Sequence, residues 1–235
     1  MRLDQYLFIN GYFDSREKAK QAIEAGLVKV NNILVKKPSK KIINNLEISI
    51  NDEEKTFVSR SANKLKVAIE RFKISVKDKI CLDIGSSTGG FTEYLLDQGA
   101  KLVYSVDVGE NQMHPKISSN KKVKLFEKTD IRNFILNEQL DLIVVDVSFI
   151  SIRKIIDKIK SLSSKKTDVL VLYKPQFEVG KEFLKKGISK HPNIEILIEN
   201  LINEESLNLE KFIKVPLKGK MGNQEYFLWL KNFTN

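Results

Sequence analysis

Apolar positions follow two rhythms along this chain, and the change between them divides it. Leu3, Leu7 and Phe8 recur at helical spacing over residues 2–10, and Gly11 stops that helix. Residues 16–25 repeat the pattern with Ala19, Ala22 and Ile23 on one face, Asp14 or Ser15 as N-cap and Gly26 as the closing residue. Alternation then takes over. Leu27-Val28-Lys29-Val30, an Asn31-Asn32 turn and Ile33-Leu34-Val35 predict a hairpin. A short strand at 47–50 follows, and the polar run Asn51-Asp52-Glu53-Glu54 predicts a turn and linker. A helix opens at Ser59-Arg60 and runs to Phe72.

Beyond it, apolar runs of strand length alternate with helical patterns. The runs predict strands at 80–84, 101–106, 123–127, 140–145, 169–173, 212–216 and 225–230. Helices are predicted at 91–98, 131–138, 152–162 and 193–206. Residues 108–122 read as loop-rich and 179–187 as a hinge-like loop. This order predicts an α/β fold, a doubly wound and mostly parallel Rossmann-like sheet over 59–235, with a small α+β unit over 1–58.

The stretch from Ile80 to Asp107 carries the first chemistry. A strand ends in Asp83-Ile84-Gly85, Ser86-Ser87-Thr88-Gly89-Gly90 turns, and a helix and second strand lead to Asp107. Gly85 lets the chain turn sharply and admits a ligand close to the backbone; Gly89 and Gly90 let the helix start near it. The G-x-G-x-x-G spacing of dinucleotide sites is absent. An acid before the first glycine suits a cofactor that brings a sulfonium and an ammonium, which is S-adenosylmethionine. Asp107 is placed to accept both ribose hydroxyls, and Asp130, at the next strand end, the adenine amino group.

Composition changes the picture in two places. The formal net charge of +10 points to a polyanionic partner, although a genome rich in Lys and Asn codons would raise the lysine count as well. Residues 1–44 hold nine Lys and Arg against four Asp and Glu, with Arg2, Arg16, Lys18, Lys20, Lys29, Lys36 and Lys37 as candidate phosphate contacts. Residues 45–58 reverse the sign with four acids and one lysine. Cys81 lies in an apolar strand, so a buried thiol in a reducing cytoplasm is expected, and two histidines make a structural zinc site improbable. Apolar runs stay at strand length, so neither a membrane span nor a signal peptide is expected.

Asp146, Lys174 and Glu225 fall at strand ends, and Lys64 on the entry helix joins them as the fourth; Arg60, four residues before it on the same face, is a further candidate RNA contact. Four charges in one crevice are costly unless paired and used. They suit deprotonation of an alcohol. A ribose hydroxyl is a very weak acid, and Lys174 oriented by carboxylates is a reasonable base, with Lys64 near the developing negative charge. A sulfonium methyl is already activated, so no metal is required.

Two resemblances sharpen this. Arg2-Leu3-Asp4, Ser15-Arg16, Ala19, Ile23, Gly26 and Val28-x-Val30-Asn31 resemble the αL RNA-binding module shared with a small-subunit ribosomal protein. That likeness implies binding of structured RNA through the second helix and the hairpin. Residues 59–232 resemble the FtsJ-like methyltransferases, and the domain order resembles the TlyA family of rRNA 2′-O-methyltransferases. The matching segments are Ser59-Arg60-x-Ala62-x-Lys64-Leu65, Asp83 to Thr92, Val106-Asp107-Val108-Gly109, Asp146 to Ser151, Lys174-Pro175-Gln176-Phe177-Glu178 and Gly222-Asn223-x-Glu225-Tyr226. The family's Lys-Asp-Lys-Glu tetrad falls on Lys64, Asp146, Lys174 and Glu225. Its S-adenosylmethionine segments fall on Asp83, Gly85, Ser87, Thr88, Gly89, Gly90, Phe91, Asp107, Val108 and Asp130.

The resemblance implies 2′-O-methylation of a cytidine in ribosomal RNA, on the free RNA or a subunit. The compact ends look like the shorter type, which acts on large-subunit RNA, while longer members also modify small-subunit RNA. A cytoplasmic monomer or weak dimer is expected. The chain departs from the family at Glu110-Asn111-Gln112-Met113, where Tyr-Gly is commoner, and at Gly219-Lys220-Met221, where Gly-Pro is commoner. The family's haemolysin name keeps a membrane-active protein as one rival reading; a non-catalytic RNA-binding assembly factor is another.

Overall fold

The computed structural model describes residues 1–13, 15–42, 46–50, 57–219 and 221–233. Asp14, as the alternative cap, and the turn expected at 51–54 lie outside the described residues. The chain divides into two compact units, Met1–Thr56 and Phe57–Asn235. In the first, α1 (Leu3–Ile9) and α2 (Arg16–Ala25) pack with a small antiparallel sheet of order β2-β1-β3, from β1 (Val28–Val30), β2 (Ile33–Leu34) and β3 (Ile48–Ile50). Ser15 is the cap: its hydroxyl accepts the Lys18 N–H at 3.2 Å. Asn31 and Asn32 both take positive φ, which gives the tight turn whose twist matches the hairpin strands. Leu3, Leu7, Ala19, Ile23, Val28 and Val30 form the core of this unit.

The second unit runs α3 (Ser61–Phe72), β4 (Ile80–Ile84), α4 (Gly90–Asp97), β5 (Leu102–Val106), α5 (Pro115–Ser118), β6 (Val123–Phe126), β7 (Leu142–Val145), α6 (Ile156–Leu162) and β8 (Asp168–Tyr173). It continues with β9 (Leu184–Lys185), β10 (Ile188–Ser189), α7 (Ile194–Glu204), β11 (Leu209–Lys214) and β12 (Tyr226–Leu230). Seven strands form one sheet in the order β11-β12-β8-β7-β4-β5-β6. β4 to β8 are parallel, and β12 runs antiparallel between β8 and β11. Every residue of β8 is buried, as a strand covered on both faces must be. The strand order reverses between β4 and β7, which opens the ligand crevice at their carboxyl ends. Cys81 sits in the apolar layer beneath α3 and α4, and burial pushes its thiol up to about 12. Among the described residues no helix is long and apolar enough to cross a membrane.

Five expectations change. The helix expected at 131–138 is a single 3-10 turn, Ile131–Asn133; Phe134 then goes extended and sets its ring edge-on to Phe126 at 5.0 Å. The helix expected at 152–162 breaks at Ile155, after a 3-10 turn whose entry is held by the Glu178 carboxylate on the Ile152 N–H. The loop-rich stretch 108–122 contains α5, started by Pro115 at its first turn, with the His114 ring accepting the Lys116 N–H. The hinge-like loop 179–187 leads into a hairpin, β9–β10, turned by Lys186 and Gly187 at positive φ. β11 lies earlier than 212–216, because pairing with β12 ends at Lys214 and Pro216 has no N–H to extend the ladder.

Candidate active site

Strand register assembles the charged cluster. Asp146 directly follows β7 and Lys174 directly follows β8. β12 pairs Tyr226 with Tyr173, so Glu225, one step before, stands across from Lys174. Lys64 arrives on the second turn of α3. The Lys174 ammonium lies 2.6 Å from Asp146 Oδ1 and donates to the Ser148 hydroxyl at 2.8 Å. Lys64 Nζ lies 2.6 Å from Glu225 Oε2. Lys64, Lys174 and Glu225 are 7%, 8% and 3% exposed, so these charges are desolvated and persist only as pairs. Gly219 has no side chain because the Glu225 carboxylate fills that space: a Cβ there would stand 2.5 Å from Oε1.

At the neighbouring strand ends lies the loop after β4, the candidate cofactor cradle. Asp107 Oδ2 accepts the Ser87 N–H and Oδ1 the Gly109 N–H, both at 2.7 Å. Each oxygen keeps a further acceptor site, and the residue is half-buried, so it can still take a ribose diol. The buried Ser86 hydroxyl at the root of the loop has no hydrogen-bond partner among the described residues. Ser87, Thr88 and Val108 are exposed at this rim. These donors and acceptors fit S-adenosylmethionine.

Gly85 needs a different explanation from the one its motif suggests. Its φ is +83°, and a Cβ would stand 2.6 Å from the Asp146 carbonyl oxygen, so the glycine makes room for protein backbone rather than for a ligand. Gly89, at φ +91°, packs on Met113 and Ile117; Gly90 lets the start of α3 approach, since a Cβ would collide with the Ser61 hydroxyl. Two expected cofactor contacts are core instead. Phe91 is 2% exposed with its ring 6.0 Å from that of Phe227. Asp83 is fully buried: Oδ2 accepts from Thr92 at 2.6 Å, Oδ1 has no partner, and burial pushes the carboxyl up to about 7. Asp130 pairs with the Arg132 guanidinium, which holds its carboxyl down at about 2; the side chain stays partly exposed at the end of β6.

In the first unit Lys29 and Lys36 are exposed, and Lys18 and Lys20 half-exposed. Arg2 and Arg16 also hold the unit together, because both donate to the buried Asp4 carboxylate, which the Arg2 contact first of all holds down at about 2. Arg60, in the second unit, is exposed just before α3. Sequence reasoning passed over Ser148, Glu178 and Phe149 as separate actors. Glu178 accepts from the Ser151 hydroxyl at 2.7 Å and from the Ile152 N–H at 2.9 Å, tying the loop after β7 to the one after β8. Phe149 is 93% exposed with φ +65°, an uncommon conformation for a bulky residue, and its ring lies 5.3 Å from that of Phe177. An aromatic inside a charged motif was the available signal.

A parallel sheet closed by one reversed strand, a glycine-cornered loop at the switch point and an acid at the end of β5 define a methyltransferase of the doubly wound class. The chain belongs to the FtsJ-like methyltransferases, whose family model matches residues 57–232, and an S4 domain matches residues 1–43. It is 35% identical over 243 residues to the 16S/23S rRNA (cytidine-2′-O)-methyltransferase TlyA of Mycobacterium tuberculosis, covering 100% of this chain and 91% of that protein. It is 43% identical over 184 residues to the 23S rRNA (cytidine-2′-O)-methyltransferase TlyA of Campylobacter jejuni, covering 75% and 72%. A solved structure named as a hemolysin from Streptococcus thermophilus superposes with a TM-score of 0.74 at 34% identity, covering 100% of this chain and 89% of that one.

Proposed function

We propose that this protein transfers the methyl group of S-adenosylmethionine to the 2′-hydroxyl of a cytidine in ribosomal RNA, large-subunit RNA first. The observation that carries the reading is the pairing of Lys174 with Asp146 and of Lys64 with Glu225 on adjacent strand ends, beside the cofactor loop. The cofactor supplies an electrophilic methyl on a sulfonium. The remaining work falls to the protein: hold the hydroxyl in line, accept its proton and shield the charge that develops. Lys174, once it has released its resting proton to solvent, would take the hydroxyl proton as the methyl passes from sulfur to oxygen, and return to the ammonium that Asp146 and Ser148 hold. Lys64 stabilises the oxygen from the other pair. Phe149 offers an exposed ring on which the target base stacks once it leaves its helix.

The basic first unit, with its S4 match, supports recognition of structured RNA. Residues from a single chain complete the charged cluster, so a monomer suffices, working in the cytoplasm where ribosomal RNA is assembled. The test is incubation of the purified protein with methyl-labelled S-adenosylmethionine and either free rRNA or ribosomal subunits, followed by digestion to nucleosides. Label in 2′-O-methylcytidine is expected; label confined to base-methylated nucleosides would overturn the reading.

A further inference from the structure

The β9–β10 hairpin has no part in the cluster or the cofactor loop, yet it is built into both sides of the site. It follows the turn Pro175–Phe177 that leaves Lys174, and β10 packs on that turn. Lys181, Lys185, Lys186 and Lys190 are all exposed, against one exposed acid, Glu182. Among the described residues none of these four lysines is held in an ion pair. A two-residue-per-strand hairpin is too short to be stable alone. Here one buried side chain fastens it. Asn223, 3% exposed, accepts the Ser189 N–H at 2.9 Å and donates to the Gly187 carbonyl at 2.9 Å. The Asn223 carbonyl in turn accepts the Gly219 N–H at 2.9 Å, and Gly219 is the residue that abuts the Glu225 carboxylate. Asn223 thus connects the cationic hairpin, by hydrogen bonds, to Gly219, whose backbone lies against the carboxylate of the Lys64–Glu225 pair.

We propose that this hairpin is a second RNA-binding element, in which Lys185, Lys186 and Lys190 grip backbone phosphates beside the target nucleotide. Asn223 is the positioning residue that keeps the hairpin in register with Glu225. The proposal rests on the RNA methyltransferase reading above. Lysine ammoniums are point donors suited to phosphate oxygens of any sequence, and a fastened hairpin loses little freedom on binding. The element would grip RNA without reading bases, leaving nucleotide choice to the site itself.

The test uses the full chain and transcribed large-subunit rRNA as probe, with affinity measured across a potassium chloride series. In a K185A/K186A/K190A variant the slope of log affinity against log salt is expected to fall by about 2–3, since each phosphate contact contributes roughly 0.7–0.9. Affinity for S-adenosylmethionine stays as in the wild type. A K158A/K165A/K166A variant removes the same charge elsewhere and should leave the slope in place. An unchanged slope in the first variant, or an equal fall in the second, overturns the clamp. Asn223→Ala retains the lysines but lowers the single-turnover rate at saturating RNA at least about tenfold, and Asn223→Asp, which keeps the acceptor for Ser189, recovers part of it. A wild-type rate in Asn223→Ala overturns the positioning role. Because the salt slope needs no methyl transfer, a wild-type protein that shows the clamp but methylates no RNA would fail the functional reading alone.

Discussion

Replacing Lys64 by Met removes a charge and keeps most of the stem, and the structure sets the size of the effect. The pair with Glu225 is the most buried ion pair among the described residues, at 7% and 3% exposure and 2.6 Å. Its loss leaves a carboxylate desolvated with no cation. Breaking such a pair destabilises by about 3–5 kcal/mol. At about 2–4 °C per kcal/mol for a unit of this size, the melting temperature should drop by roughly 6–20 °C. Glu225→Leu strands the lysine and should act alike. The double variant replaces the pair with apolar groups of similar volume and should return to wild-type stability or above it. Unfolding can be followed by fluorescence of the single tryptophan, Trp229, which lies in β12 and donates its indole N–H to Asp168 at 2.9 Å. All three variants should lose methyl transfer, the double despite its restored stability. A single variant within about 1 kcal/mol of wild type would refute the burial argument. A stable double variant that still methylates would show that the pair only holds the fold.

Gly85→Ala combines a left-handed backbone, about 1–2 kcal/mol, with overpacking against the Asp146 carbonyl, about 1–3 kcal/mol, for roughly 2–5 kcal/mol of lost stability. Because the shift lands on Asp146, chemical denaturation and turnover should both change while cofactor affinity changes less; a loss of binding with unchanged stability would contradict this. Asp83→Asn tests the buried acid. Its folded-state value of about 7 lies above the ordinary 3.8, so folding favours the protonated form. Wild-type stability should therefore fall, on the order of a few kcal/mol, as pH rises from about 4 to about 7 and level off above it. The asparagine variant should lack that fall, and parallel pH curves would contradict the assignment. Asp107→Ala should weaken S-adenosylmethionine binding by roughly 1–3 kcal/mol in calorimetry, and intact affinity would remove it from the cofactor site.

Much of the fold was legible because burial imposes a simple rhythm. The runs at β7 and at 169–173 of β8 are continuous in apolar residues, those of β4 and β5 are broken only by Asp83 and Ser105, and the glycines between β4 and α4 mark a real corner. Helical spacing misled at Ile131, Phe134 and Ile135, where packing of Phe134 on Phe126 outweighs a weak local preference and leaves Ile135 79% exposed. The short hairpin was hidden because Lys-Gly is a less familiar turn pair than Asn-Gly, and its stability comes from Asn223, 36 residues away from Gly187. The charged site could be named by motif, but its pairing could not, since Lys64 and Glu225 are separated by 161 positions. Motif membership also overreached. Asp83 and Phe91 belong to the cofactor segment in sequence, yet both point into the core, and a linear pattern does not separate a residue that touches the ligand from one that supports the loop.

The central claim is that Lys174 accepts the proton of the ribose hydroxyl, and single-turnover methyl transfer by Lys174→Arg on rRNA tests it most directly. A guanidinium keeps the charge and can still pair with Asp146, but it does not give up its proton near neutral pH. The account predicts a rate reduced by about 100-fold or more, close to that of Lys174→Ala, with RNA and cofactor still bound. A Lys174→Arg protein that methylates at near wild-type rate would contradict the claim and leave Lys174 as a positioning charge only.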